Sequence, residues 1–461
     1  MKLMIFPGEL DRSFFEDILR GQAAVSISCV LLDSVSQASG WLGYVPPEAL
    51  QQWDGLVHPA TDAAETPYHT KHYQQVLDSL LSDPRTFYIL ERMYRSIDKD
   101  IFFNSVFNRT VQLELVVWNT LSMLHKTQPD RLVHFNVPHG KLWFVAKIAE
   151  LVGVEVYAGA ISPLPWKEWV VKGLDAQRPV AVADRFKEDG SKKIGEFVST
   201  IRGDYAGAMP SYEKSRYDYF KGGFYSIKKE LRSLGWSLIS SRSLLTFLIR
   251  SMLSLRKKQA LNLYQRLSAG FHFPEKFVVF FLHYQPERTS LPEGYQYAQQ
   301  WLAIRALANS LPDGYQLVVK EHPSTFRYYF NPGFRSSDLY RAIAGLPNTR
   351  LVPLDVTPFA LIDSAAAVAT ITGTVGIEAI VRGKPVIVFG AAQYRNVKGV
   401  FAVHSKQDAR AVLLEIAAGT AVLSGKEIED YLNRVDRMSF DTDPVLKITS
   451  KKLMRAAIFA A

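Results

Sequence analysis

Short continuous apolar runs alternate along most of the chain with longer stretches whose apolar residues recur every three to four positions. The first pattern is that of strands buried on both faces and the second that of helices packed on one face. MKLMIFPG and AVSISCVLLDSV read as strands, SFFEDILRG between them as a helix, and residues 67–127 as mostly helical, best in YQQVLDSLL and VQLELVVWNTLSMLHK. RLVHFNV is then a strand, PHGKLWFVAKIAELVG a helix with Pro138 in its first turn, and VEVYAGAIS a strand.

The rhythm lapses over 166–270, a stretch rich in Lys, Arg, Ser and Tyr that reads as helices and loops without clear strands. It resumes near Phe271. KFVVFFLHY, YQLVVKE, TRLVPL, AVATI and KPVIVFG are strands, separated by the helices EGYQYAQQWLAIRALANSLP, SSDLYRAIAGLP, PFALIDSA and TVGIEAIVRG, the last ending at Gly383. Strands alternating with helices predict an α/β fold of two Rossmann-type lobes, each on a parallel sheet, with a cleft between them. The expected units are 1–165, a helical connecting segment 166–270, a second lobe 271–435, and a C-terminal helix 436–461 that packs back on the first lobe.

Composition changes this picture in three ways. A chain of 461 residues that is 48% hydrophobic has the substance for more than one core. The single cysteine, Cys29, rules out an internal disulfide and argues against a thiolate zinc site. With no secretory pattern at the start, a reduced, cytoplasmic setting is expected. A net charge of +9 favours anionic partners. Residues 226–266 carry Lys and Arg throughout against one acid, Glu230, among many apolar residues. That is the pattern of a basic amphipathic helix resting on an anionic membrane, or of a helical linker packed between lobes; no uncharged stretch there is long enough to span a bilayer. The cluster lacks interleaved aromatics, so nucleic acid is not an expected partner.

Ligands of open parallel sheets bind beyond the carboxyl ends of the strands. Three such ends in the second lobe carry unusual loops: Gln285-Pro286-Glu287, Lys320-Glu321-His322-Pro323, and Thr372-Gly373-Thr374-Val375-Gly376. In ATITGTVGIEA a buried strand turns through small residues into a helix. The turn either seats a phosphate on helix N–H groups or is a tight β–α turn without a ligand. Glu378 stands where it can reach a ribose hydroxyl. His322, two residues after Lys320, can hydrogen-bond a phosphate or protonate a leaving group. Glu287 is a nucleophile, a general base, or an ion-pair partner of Arg288 or Lys320. Arg288 and Ser290 continue the same loop. In the first lobe His134, Asn136 and His139 cluster at a strand-to-helix turn, where they can hold an acceptor, and Ser162-Pro163-Leu164-Pro165-Trp166 follows the next strand. No HExxH, GxSxG, Walker A or GxGxxG fingerprint occurs, and no Asp-x-Asp pair is assigned to a strand end. Neutralising a phosphate therefore falls to Lys, Arg, His and backbone amides, and no metal or other cofactor is expected.

QPE, then KEHP, then PNTRLVPLDVTPFALIDSAAAVATITGTVGIEAIVRGKPVIVFG resembles the bacterial capsule-polysaccharide-synthesis glycosyltransferase superfamily, and more narrowly its retaining β-Kdo transferases. The resemblance is clear over 271–400 and fainter over the first lobe, where PHGKLWFVAKIAELVG matches best. It implies a GT-B-like fold with an N-terminal acceptor lobe and a C-terminal nucleotide-sugar lobe, and a CMP-activated ulosonic acid donor without a metal. It further implies an oligosaccharide or glycolipid acceptor, and the basic stretch 226–266 adds peripheral contact with the inner membrane as an expectation. On that footing Lys320, His322 and Pro323 bind the CMP phosphate, Thr372, Gly373, Thr374 and Gly376 add contacts, and Glu378 holds the ribose. Glu287 is the motif-borne nucleophile of a double displacement, with Gln285, Arg288, Ser290, His134, Asn136 and His139 lining the donor and acceptor cleft. Two rivals stand beside this reading: a CDP-glycerol-type glycerophosphotransferase, and a non-catalytic nucleotide-binding scaffold of a glycan assembly complex.

Overall fold

The computed structural model describes residues 1–6, 26–32, 50–52, 67–86, 89–90, 106–134, 141–174, 179–180, 191–205, 241–285, 289–326, 335–421, 423 and 425–441. Two sheets organise them. The first takes β1 (Lys2–Phe6), β2 (Ser26–Leu32), β3 (Leu50–Gln52), β4 (Arg131–His134), β5 (Glu155–Ile161) and β6 (Lys167–Lys172). Its helices are α1 (Pro67–Ser82), α2 (Val106–Thr127) and α3 (Lys141–Leu151). Two further helices follow, α4 (Ser191–Arg202) and α5 (Ser241–Ser268).

The second sheet holds β7 (Phe277–Phe281), β8 (Gln316–Lys320), β9 (Thr349–Val352), β10 (Ala367–Thr370), β11 (Val386–Val388) and β12 (Val400–Ala402). Its helices are α6 (Gln300–Ala308), α7 (Ser337–Ala344), α8 (Pro358–Ser364), α9 (Val375–Val381), α10 (Lys406–Ala417) and α11 (Gly425–Arg437), after which β13 (Phe440–Asp441) closes the described chain. The α/β class and the pair of mainly parallel sheets are as the pattern predicts.

Strand order decides where a ligand can sit. The second sheet runs β12-β11-β10-β7-β8-β9, all parallel. The chain therefore steps outward from β7 to β9, then returns to the other side of β7 with β10, and a crevice opens between the carboxyl ends of those two strands. Registers pairing Phe281 with Lys320 and Lys320 with Val352 bring the strand ends level. The first sheet runs β13-β6-β5-β4-β1-β2-β3, so its own reversal lies between β1 and β4, where Phe6 pairs with His134.

Three expectations are corrected. The stretch 166–270 does contain a strand: β6 forms a hairpin with β5, antiparallel, from Tyr157↔Lys172 to Ile161↔Glu168. Its charged ends hid it, yet Lys167 is only 2% exposed because its ammonium pairs with Asp436 at 2.7 Å. An Asp-x-Asp sequence does begin at a strand end, because Asp441 of Asp441-Thr442-Asp443 closes β13, which exists only by pairing with β6. The expected helix EGYQYAQQWLAIRALANSLP is split into a 3-10 turn, Tyr295–Ala298, and α6.

The helix expected over 13–21 lies outside the described residues, as does the C-terminal stretch beyond Asp441. Up to Asp441 the chain places β13 on the edge of the first sheet, beside β6. α5 packs its Ala260 and Tyr264 into the second lobe's core, while Leu255 remains 61% exposed. Among the described residues no helix is long and apolar enough to cross a membrane. Cys29 is fully buried in β2, and burial pushes its thiol up to about 12, so it is an inert core residue.

Candidate functional site

β7 is apolar and buried throughout, FVVFF, and its continuation Leu282-His283-Tyr284-Gln285 carries the polar groups out of the sheet. His283 is buried in the crevice between β7 and β10. The Thr372 amide donates to its Nε2 at 3.1 Å, and the Thr370 hydroxyl lies 3.0 Å from the same nitrogen. An N–H pointing at Nε2 requires that nitrogen to be unprotonated. Burial holds the ring neutral and lowers its pKa to about 3, with His322 and Arg335 adding to the effect.

His322 stands across from this at the end of β8. Its ring centroid lies 6.1 Å from that of Tyr284, and both residues are half-buried. The Ser324 amide donates to His322 Nδ1 at 3.2 Å, which makes Nδ1 an acceptor and leaves the ring proton on Nε2. Pro323 opens the 3-10 turn Pro323–Phe326 that supplies that amide.

Beneath these two histidines lies a buried polar network. Glu321, fully buried, accepts from Arg335 Nε at 2.7 Å, from the Tyr340 hydroxyl at 2.7 Å and from its neighbour His322 N–H at 2.6 Å. Gln285 accepts from Arg335 Nη1 at 3.2 Å and from Gln300 Nε2 at 2.6 Å, and donates to the Ala298 carbonyl at 2.8 Å. Gln285 is thus 4% exposed and held on three sides.

The glycine-bearing turn is shaped by its own protein. A Cβ at Gly376 would lie 2.1 Å from the Tyr394 hydroxyl, and one at Gly373 would lie 2.8 Å from Thr370 Oγ1. Tyr394 in turn donates to the Gly373 carbonyl at 2.5 Å. The amides of Thr372, Gly373, Gly376, Ile377 and Glu378 all have acceptors within the chain. α9 has seven residues, and Thr374 at its start makes no side-chain cap. Both glycines are therefore required by close packing, and an anion here would rely on side chains more than on a row of open amides. Thr374 is exposed and Glu378 half-buried in the first turn of α9.

Lys320 is 2% exposed, and its ammonium donates to the Pro353 carbonyl at 2.7 Å. Burial lowers its pKa to about 7, against the pull of Asp355 and Glu321. It supports β9 from below the rim. Ser290 is fully buried after the loop, and Thr289 accepts from the Thr372 hydroxyl. Glu287 and Arg288, and Asn136 and His139 of the first lobe, lie outside the described residues. His134 ends β4 at the first sheet's reversal and is 7% exposed.

The two lobes meet beside this rim. Leu291 and Ala298 share a hydrophobic cluster with Leu80, Trp143 and Phe144 of the first lobe. The Arg85 guanidinium, paired with Asp83, lies 5.2 Å from the Trp143 ring and 4.9 Å from that of Tyr295. Leu291, Tyr295 and Ala298 thus put the chain after Thr289 at the lobe junction.

Residues 297–413 match the family model described as capsule polysaccharide biosynthesis protein. Over that segment the chain resembles the capsule polysaccharide biosynthesis proteins. The segment contains the ends of β8, β10 and β11 and the whole of the His322 and Thr372–Glu378 loops. A comparison with curated proteins finds no match. Solved structures were also compared. A Thermosulfurimonas dismutans KpsC, a β-Kdo 2,7 transferase, is 13% identical over 70% of this chain and 86% of its own, with a TM-score of 0.28. A β-Kdo 2,4 transferase KpsC from the same organism is 16% identical over 66% and 87%, also at 0.28. A UDP-GlcNAc 2-epimerase from Neisseria meningitidis is 14% identical over 99% and 100%, at 0.25.

His283, Arg335, Gln300 and Thr370 are what sequence reasoning missed. His283 stands two residues before Gln285 in the same run. Arg335 has no local signal, since its partners lie just beyond the ends of β7 and β8.

Proposed function

We propose that the chain is a glycosyltransferase of bacterial surface-glycan assembly. It moves Kdo, or a related ulosonic or nonulosonic acid, from a CMP-activated donor to an oligosaccharide or glycolipid acceptor, with retention. The reading rests on one observation: the polar groups at the ends of β7, β8 and β10 converge on the second sheet's reversal point, and those of β8 and β10 lie within the segment that matches the capsule family. His322 offers Nε2–H to the CMP phosphate, the Thr374 hydroxyl adds a second donor, and Glu378 takes the ribose. Glu287 attacks the anomeric carbon, and a second displacement by the acceptor restores the configuration. His134, Asn136 and His139 belong to the acceptor side. Charge on the leaving CMP is met by histidine and basic side chains, so the reaction proceeds in a chelator. Residues 226–266 rest peripherally on the anionic inner membrane from the cytoplasmic side.

Calorimetric titration of CMP without metal, on the wild type and on His322→Ala, tests the centre of this reading. The expected result is binding that the substitution weakens ten-fold or more, about 1.4 kcal/mol. Failure of CMP where another nucleotide binds would overturn it. Transfer from CMP-Kdo in the presence of EDTA is the companion assay, and CDP-glycerol is the competing donor to include.

A further inference from the structure

Arg335 is 3% exposed and immediately precedes α7, where Ser336 caps the helix by accepting from the Leu339 amide at 3.2 Å. The cap fixes the backbone from which the arginine reaches inward. Its guanidinium then bridges two strand ends at once. Toward β8 it grips both oxygens of Glu321, Nε at 2.7 Å and Nη2 at 3.3 Å. Toward β7 it donates to the His283 carbonyl and, through Nη1, to Gln285 Oε1 at 3.2 Å. Glu321 in turn holds the His322 amide at 2.6 Å. The residue that directly precedes Pro286-Glu287 and the residue that carries the phosphate donor are thereby tied to one rigid fork.

We propose that Arg335 is a positioning residue that sets the spacing between the end of β7 at Gln285 and His322 at the end of β8, and hence the geometry in which the donor sugar and its leaving phosphate are held. This rests on the transferase reading given above. A buried ion pair is a poor device for stability alone, since well-packed apolar residues often serve as well or better. A planar fork with donors in two directions is what a bridge between two loops needs, and lysine cannot reproduce it.

The test compares the wild type, Arg335→Lys and the double variant Glu321→Met/Arg335→Met. Three quantities are measured: melting temperature, CMP affinity and turnover of saturating CMP-Kdo. NMR signals of the His322 ring are recorded for each protein. Arg335→Lys is expected to lower kcat at least ten-fold while CMP affinity changes less than three-fold, and to shift the His322 signals. The double variant is expected to recover melting temperature without recovering turnover. Turnover within two-fold of wild type in Arg335→Lys, or turnover that returns with stability in the double variant, overturns the proposal. If the wild type does not turn over CMP-Kdo, it is the transferase reading that fails. The His322 signals still decide the positioning claim, because unchanged shifts in Arg335→Lys would refute it.

Discussion

Arg202 and Arg382 exchange helix caps across the boundary between the connecting segment and the second lobe. Arg202, the last residue of α4, donates from Nε to the carbonyl of Val381, the last residue of α9, at 3.2 Å. Arg382 donates back from Nη1 to the carbonyls of Ile201 and, at 3.2 Å, Gly203. Helix C-termini expose unpaired carbonyls and a partial negative charge, and a cation from the facing helix answers both. Arg382 also pairs with Asp363 and lies 4.4 Å over the Phe359 ring. α9 carries Glu378, so this exchange holds a wall of the site from behind.

Arg382→Ala is accordingly expected to destabilise the protein by about 2 kcal/mol, the scale of hydrogen bonds to a charged donor. The urea midpoint checks it. Arg202→Ala, which removes one bond, is expected to cost less.

His283 makes stability sensitive to mild acid. Its pKa falls from 6.5 unfolded to about 3 folded, so between those values the unfolded chain binds the extra proton. The contribution is complete above pH 6.5 and declines as pH falls toward 3, by up to about 1.4 kcal/mol per unit. Protonation would set an N–H against the Thr372 amide and part β7 from the glycine turn. Chemical denaturation from pH 7 to pH 4 should show this slope, and His283→Gln should flatten it.

Gly376→Ala is expected to destabilise by roughly 1–3 kcal/mol through overpacking against Tyr394. The overlap is with a buried ring, which cannot swing aside as a flexible side chain could. Circular dichroism melts measure the loss. If Gly376 were instead an open seat for phosphate, stability would hold and only CMP affinity would fall.

Lys320 separates support from phosphate binding. With its ammonium on the Pro353 carbonyl, Lys320→Met should reduce CMP affinity less than His322→Ala does, as read by calorimetry. Its pKa is lowered from 10.5 to about 7, so the unfolded chain binds the extra proton between those values and stability rises with pH there. The methionine variant should lose that rise and be the more stable protein near neutrality.

Local pattern alone determined the α/β class, most strands of both sheets and the three loops at strand ends. Runs such as FVVFF and AVAT are buried on both faces, and continuous apolarity is the direct consequence of that burial. Gly383 closing α9 at φ +76° is legible in the same way, because a left-handed residue after a helix favours glycine.

Tertiary structure alone decided the rest. β13 is a strand because it finds β6 at a sheet edge, Phe440 opposite Glu168, far away in sequence, while β6, already paired with β5, keeps Lys167 buried through Asp436. The order that puts β10 beside β7, and so opens the crevice, is a choice of pairing that no run of residues specifies. His283 became the hinge of the rim, and Arg335 its tie, only when strands distant in sequence brought them partners. Hydrophobic period is a local property of the chain, whereas a buried charge or imidazole acquires its role from groups that folding delivers.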